Sequence, residues 1–254
     1  MVMRIAIVGG TGTLGRHVAA ELARRGHDAR VLSRSGAYPV DLTTGDGLSK
    51  ALDGCAVVVD ASNATSSKRA RQVLVEGSGR LLAAEQEAGV GHHVCVSIVG
   101  CDQVPMGYYR IKTDQEHVVE HGPVPWTIVR ATQFHELAAT ALAAAAKYRV
   151  LPIPSMRLQT IAAAEVAEAV ATTAEAEPAL GRVQVAGPEI RSARELARTW
   201  LTLTGHKAIQ LPVPVPGKMG RALRSGGLTA SSPDFSGTLT FADWLKAQQT
   251  PKRG

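Results

Sequence analysis

Short apolar runs alternate along the first half of the chain with longer amphipathic stretches. Residues 3–8, 29–33, 55–61, 93–99 and 126–130 are rich in aliphatic and β-branched side chains without polar alternation. That pattern predicts strands buried on both faces of a parallel sheet. Between them run helical stripes. Residues 13–26 carry Leu14, Val18, Leu22 and Ala23 on one face and close on a glycine. A loop from Asp41 leads to a short helix ending near Leu52, residues 67–89 read as a long helix, and residues 108–121 as another, ended by Gly122-Pro123. Repeated strand-then-helix alternation predicts an α/β fold built on a doubly wound parallel sheet.

Past Arg130 the pattern loosens. Helices are expected over 134–147, 162–175 and 192–204, the last burying Leu196, Trp200 and Leu203; a strand over 182–186, an extended stretch over 212–216 and a closing helix over 240–247 complete the chain. This predicts a dinucleotide-binding core, residues 1–131, and a small C-terminal substrate lobe, residues 132–254. Residues 217–237 are rich in glycine and serine, with Lys218, Arg221 and Arg224 among them. They read equally as a mobile flap and as a surface loop.

The chemistry begins where the first strand stops. Gly9, Gly10, Gly12 and Gly15, interleaved with Thr11, Thr13 and Leu14, lie between a strand and a helix. A turn of this kind needs one glycine to reverse sharply, one to let backbone N–H groups approach a pyrophosphate, and one to pack the helix close on the strand. The helix N-terminus adds the positive end of its dipole. Two registers fit, Gly10-x-Gly12-x-x-Gly15 and Gly9-x-x-Gly12-x-x-Gly15. After the second strand, where a carboxylate usually holds the adenosine ribose, the chain has Ser33-Arg34-Ser35. A guanidinium and hydroxyls there favour a 2′-phosphate, hence NADP(H). Asp41, and Ala61, Ser62 and Asn63 at the end of the third strand, fall at the same carboxyl edge.

A second constellation follows. Tyr108 and Lys112 are four apart and share a helix face. A lysine ammonium near a phenol lowers its pKa, and the phenol can then pass a proton to a carbonyl oxygen as hydride reaches its carbon. Ser97, ending the fourth strand, offers a hydroxyl to the same oxygen. Thr132, Phe134 and His135, with Gln133, occupy the stretch expected to wall the substrate. The HxxEH spelling at His117 to His121 falls in the last turn of the YxxxK helix, where the dipole favours histidines without a metal, so no metal site is expected.

Composition narrows the partners. The net charge is +6, but the basic residues form small scattered groups such as Arg24/Arg25 and Lys68/Arg69/Arg71, without interleaved aromatics, which argues against nucleic acid. Aromatics are 4% of the chain, so the core must be aliphatic. Cys55, Cys95 and Cys101 lack CxxC spacing and read as reduced thiols. The first strand starts too near Met1 for a signal peptide, and no apolar run nears the ~20 residues that span a membrane. A cytoplasmic protein acting on a small molecule is expected, and the Asn63-Ala64-Thr65 sequon then has no role.

The GGTGTLGR turn, the SIVG strand end and the segment PWTIVRATQF resemble the short-chain dehydrogenase/reductase superfamily, most of all its atypical, NmrA-like branch. The resemblance covers most of the chain and is strongest over residues 3–134. It implies a Rossmann fold and NADP(H), and matches Ser97, Tyr108 and Lys112 to the superfamily's catalytic serine and YxxxK, Lys112 also reaching the nicotinamide ribose. The implied activity is hydride transfer to or from a small carbonyl or quinone-like compound. An epimerase or dehydratase with tightly held cofactor, and an NADP(H)-sensing regulator without turnover, are the alternatives the same resemblance carries.

Overall fold

A computed structural model of the chain describes residues 2–64 and 67–249. The core runs β1 (Arg4–Val8), α1 (Thr13–Arg24), β2 (Asp28–Ser33), β3 (Tyr38–Pro39), α2 (Leu48–Leu52), β4 (Val57–Asp60), α3 (Ser67–Ala70), a π-helical turn (Arg71–Glu76), α4 (Gly77–Ala88), β5 (His92–Ile98), α5 (Gly107–Glu120) and β6 (Trp126–Ala131). After it come α6 (His135–Ala146), β7 (Val150–Pro154), β8 (Arg157–Leu158), α7 (Ala163–Glu175), β9 (Gly181–Ala186), β10 (Arg191–Ser192), α8 (Ala193–Thr204), β11 (Ile209–Val213), α9 (Gly217–Arg224), β12 (Phe235–Ser236) and α10 (Phe241–Gln249).

Eight strands form one parallel sheet in the order β12-β9-β6-β5-β4-β1-β2-β3. The order reverses at β1, so the crevice between the carboxyl ends of β1 and β4 is the topological switch point of a Rossmann-type fold. Alternate residues of each strand serve opposite layers. Ile5, Ile7, Val57 and Val59 pack with Val18 and Leu22 of α1 and Val166 and Val170 of α7, while Ala6, Val8, Val58 and Ile128 pack with Leu52 of α2, Leu81 of α4 and Val119 of α5. Continuous apolar strands follow from this double burial.

The chain past residue 131 does not stay apart from the core. β9 and β12 extend the main sheet, and α7 covers it beside α1. What stands off is a smaller unit, where Leu151 and Ile153 of β7 pack with Leu196 and Trp200 of α8 and with Phe241 and Leu245 of α10. Two short ladders, parallel β7–β11 and antiparallel β8–β10, complete it.

Two expectations change. Residues 67–89 are not one regular helix, because the π-helical turn interrupts it and seats Leu74 against Ala70 and Ile111. Residues 217–237 are not irregular throughout, since α9 and β12 form there and Leu223, Leu228 and Ala230 are buried. The physical reason is close backbone packing: a Cβ on Gly100 would lie 1.7 Å from the Gly227 carbonyl oxygen, so the two loops meet only because Gly100 has none.

His92, buried at the start of β5, sets an acid limit on stability. Its Nε2 lies 2.9 Å from Thr127 Oγ1, which itself accepts the Ala179 N–H. Burial, and then the neighbouring His93, hold the imidazole pKa down at about 4. The folded value is below the unfolded ~6.5, so the unfolded chain takes up the proton first and stability falls as pH drops from about 6.5 towards 4. Between pH 7 and 5 the wild type should lose about 1–2 kcal/mol more stability to urea than His92→Asn loses. An equal pH dependence in the variant would refute the assignment to His92.

Candidate functional site

The glycine turn is built by backbone contacts. Gly9 has φ +71°, and a Cβ there would lie 2.7 Å from the Ala61 carbonyl oxygen. Gly15 is tightest, with an added Cβ 2.3 Å from the Gly9 oxygen, so α1 packs directly on the end of β1. Gly12 differs: its Cβ would meet only the Gly9 oxygen, at 3.1 Å, and the residue is exposed with Thr11 and Thr13. Turn, approach and packing therefore fall to Gly9, Gly12 and Gly15, which selects the Gly9-x-x-Gly12-x-x-Gly15 register. Gly10 is needed for another reason, since a Cβ on it would strike Val31 of β2 at 2.7 Å.

These features fit a dinucleotide. Gly12 is the N-cap of α1, its own N–H donating to the Gly9 carbonyl at 2.9 Å, and the first turn carries no acid, so the N–H groups that follow it and the helix dipole suit an anion such as a pyrophosphate. Leu14 is buried and anchors the helix. Across the switch point, Ser62 Oγ is buried and has no hydrogen-bond partner among the described residues. Beyond β2, Arg34 is exposed and makes no hydrogen bond or ion pair among the described residues, while Ser33 Oγ donates to the Ser35 carbonyl. Asp41 accepts from the Thr43 N–H and hydroxyl, and these bonds, with the charge of Arg34, lower its pKa.

The YxxxK residues take unequal positions. Tyr108 Oη donates to Asn63 Oδ1 at 2.7 Å, which brings α5 to the loop after β4. Burial pushes the Tyr108 phenol up to about 12, and Lys112 does not counter it, contrary to the expected lowering. The reason is that Lys112 is buried and turned inward: its Nζ donates to the Val96 carbonyl at 2.7 Å and to Gln115 Oε1. Gln115 Nε2 in turn donates to Asp60 Oδ2 and Ser78 Oγ, each at 3.0 Å. Sequence reasoning missed Asp60 and Gln115 as supports of the lysine, although Gln115 stands three residues from it on one helix face.

Ser97 is held elsewhere. It is buried and donates to Glu116 Oε1 at 2.5 Å, so its hydroxyl belongs to the network that ties α5 to the sheet. Glu116 also accepts two bonds from Arg130, at 2.9 and 2.6 Å, and one from Arg182 at 3.2 Å.

The expected substrate wall is likewise committed to packing. Thr132 is buried and accepts the Gly187 N–H, and Phe134 pairs with Ile161 against the main core. His135 is fully buried between Phe241 and Trp244 and donates through Nε2 to the Leu239 carbonyl. Burial lowers its pKa. These contacts dock α10 on the start of α6, so His135 packs the fold and does not wall a substrate as expected.

Residues 9–177 match the family model described as NAD(P)H-binding. A photosystem II assembly factor Ycf39 from Synechocystis sp. is 34% identical over 147 residues, 52% of this chain and 45% of that protein; its counterpart from Trieres chinensis is 29% identical over 151 residues, 53% and 47%. The chain thus matches about half the length of these curated relatives. Among solved structures, a nucleoside-diphosphate-sugar epimerase from Staphylococcus aureus superposes with a TM-score of 0.78 at 18% identity, covering 96% of this chain and 100% of that one. An NADPH-dependent quinone oxidoreductase from Escherichia coli does so with 0.77 at 18% identity, covering 97% and 100%. Among the described residues no helix is long and apolar enough to cross a membrane. With its glycine turn at the switch point and its family match over most of the core, the chain belongs to the NAD(P)H-binding family.

Proposed function

We propose that the protein is an NADP(H)-dependent reductase of small carbonyl or quinone-like compounds. The observation that carries this is the Tyr108 to Asn63 hydrogen bond, which brings a phenol to the carboxyl edge beside the glycine turn. A phenol kept protonated by burial suits the donation of a proton to a substrate oxygen as hydride arrives, so the reading favours reduction over oxidation. The bound cofactor supplies the hydride. Backbone N–H groups at Thr13 and Leu14 would hold its pyrophosphate and Arg34 with Ser33 its 2′-phosphate, while Asp41 and Ala61 to Asn63 would border the adenosine and nicotinamide halves. Lys112, by anchoring α5 to β5 through Val96, fixes the height of Tyr108 at the edge. A turnover screen with NADPH against quinones, aldehydes and ketones tests the activity.

A second reading has its own support. Ser97 and Lys112 are both bonded inward, and the curated relatives are named as assembly factors. A protein that binds NADP(H) and acts through a partner would show saturable cofactor binding with no substrate in the screen.

The cofactor preference is a separate expected result. NADPH should bind at least about tenfold more tightly than NADH, since a charge-assisted contact from Arg34 to phosphate is worth roughly 1.5–3 kcal/mol. Arg34→Asp should shrink that ratio. Calorimetry giving equal affinities for the two cofactors in the wild type would remove Arg34 from the site.

A further inference from the structure

The smaller C-terminal unit contains a cavity of about 620 Å³, within the range of small-molecule sites. Its wall is apolar at Ile153, Met156 and Val213, and Arg157, Arg194 and Arg224 stand around it. No aspartate or glutamate lines it. None of the three arginines has a carboxylate partner among the described residues, although such pairs are available nearby in sequence. Glu195, next to Arg194, is committed to the α8 cap, where it accepts the Ser192 N–H and hydroxyl. Arg224 gives one Nη1 to the Val215 carbonyl and keeps its other donors. Three arginines lining one apolar-walled concavity that holds no acid make it a positively charged site. An anion that accepts their planar donors would complement it.

We propose that this cavity binds a small molecule with an apolar body and a terminal anionic group of the carboxylate, phosphate or sulfonate type. The cavity joins the candidate site through one side chain: Met156 lines it and also packs in the cluster that holds Tyr108, Met106 and Leu223. α9 borders the same corner through Arg224. As the seat of a substrate's anionic end, the cavity rests on the reductase reading. As an anion site it stands on its own charge and shape.

The test uses the full chain saturated with NADPH, so that a dye does not occupy the cofactor edge. The probe is 1-anilinonaphthalene-8-sulfonate, and its neutral counterpart N-phenyl-1-naphthylamine is the control. The sulfonate should bind at one site at least about tenfold more tightly than the neutral amine, and inorganic phosphate should compete with it. The double variant Arg157→Ala/Arg194→Ala should lose at least about tenfold in sulfonate affinity and leave the amine unchanged. Both side chains are exposed, and unchanged near-UV circular dichroism checks that the variant is folded. No sulfonate binding, equal binding of the two dyes, or a variant that binds the sulfonate as the wild type does would each overturn the proposal. NADPH affinity, measured by calorimetry in a separate titration without dye, reports on the cofactor site: its failure with intact dye discrimination refutes the reductase reading and leaves the anion site standing.

Discussion

Tyr108→Phe is expected to lower turnover by about 10²-fold or more and to leave NADPH affinity nearly unchanged, the usual scale for loss of a positioned proton donor. The substitution removes one hydroxyl. The lost partner, Asn63, is exposed, so water replaces the bond to its Oδ1 and little stability is lost. Lys112→Ala should behave differently, because it removes the buried bonds to Val96 and Gln115 that hold α5 against β5. A fall in melting temperature should accompany its fall in turnover. Ser97→Ala takes one donor from Glu116 and should affect rate only through the seating of α5. Steady-state kinetics on the first substrate found, with calorimetry of NADPH binding, separate these patterns. A Tyr108→Phe enzyme that works at the wild-type rate removes the tyrosine from the chemistry, and a protein without any substrate whose NADPH binding ignores the change fits the sensor.

The sheet and the glycine turn were legible in the sequence because both are local. Strands such as VVVD and RIAIV are buried on both faces, so burial itself writes the apolar run, and a dinucleotide turn needs its glycines within seven positions of one another. The choice between glycine registers was not legible, since it depends on Ala61, brought to Gly9 by the β1–β4 pairing. The helix in residues 217–237 was hidden by glycine and serine, although Met219, Ala222 and Leu223 stand at helical spacing and pack together beside Tyr108. The roles of Ser97 and Lys112 were obscured in the same way. Sequence places Ser97 on a strand and Lys112 on a helix, but only the packed structure shows that Glu116 and Gln115 claim their polar atoms.

Glu116→Ala is expected to cost about 3–5 kcal/mol of folding stability, the scale for breaking a buried ion pair from one side. Glu116 is buried, and its two oxygens take the fork of Arg130 together with Ser97 and Arg182, from strands β5, β6 and β9. Removing it leaves the Arg130 guanidinium buried with, among the described residues, the half-exposed Asp102 as its remaining carboxylate partner. Burial raises the Glu116 pKa, but the Arg130 and Ser97 bonds outweigh it and the net shift is downward. The folded value lies below the unfolded one of ~4.3, so this contribution is fully present above that pH and is lost as pH falls through the folded value. Arg130→Met should cost a similar amount, and the double variant Glu116→Ala/Arg130→Met should cost clearly less than the sum, because no unpaired charge remains buried. Urea unfolding of the four proteins at pH 7 measures the coupling. Additive losses would show that the two side chains stabilise the fold independently, and α5 would then owe its place under β5 and β6 to apolar packing alone.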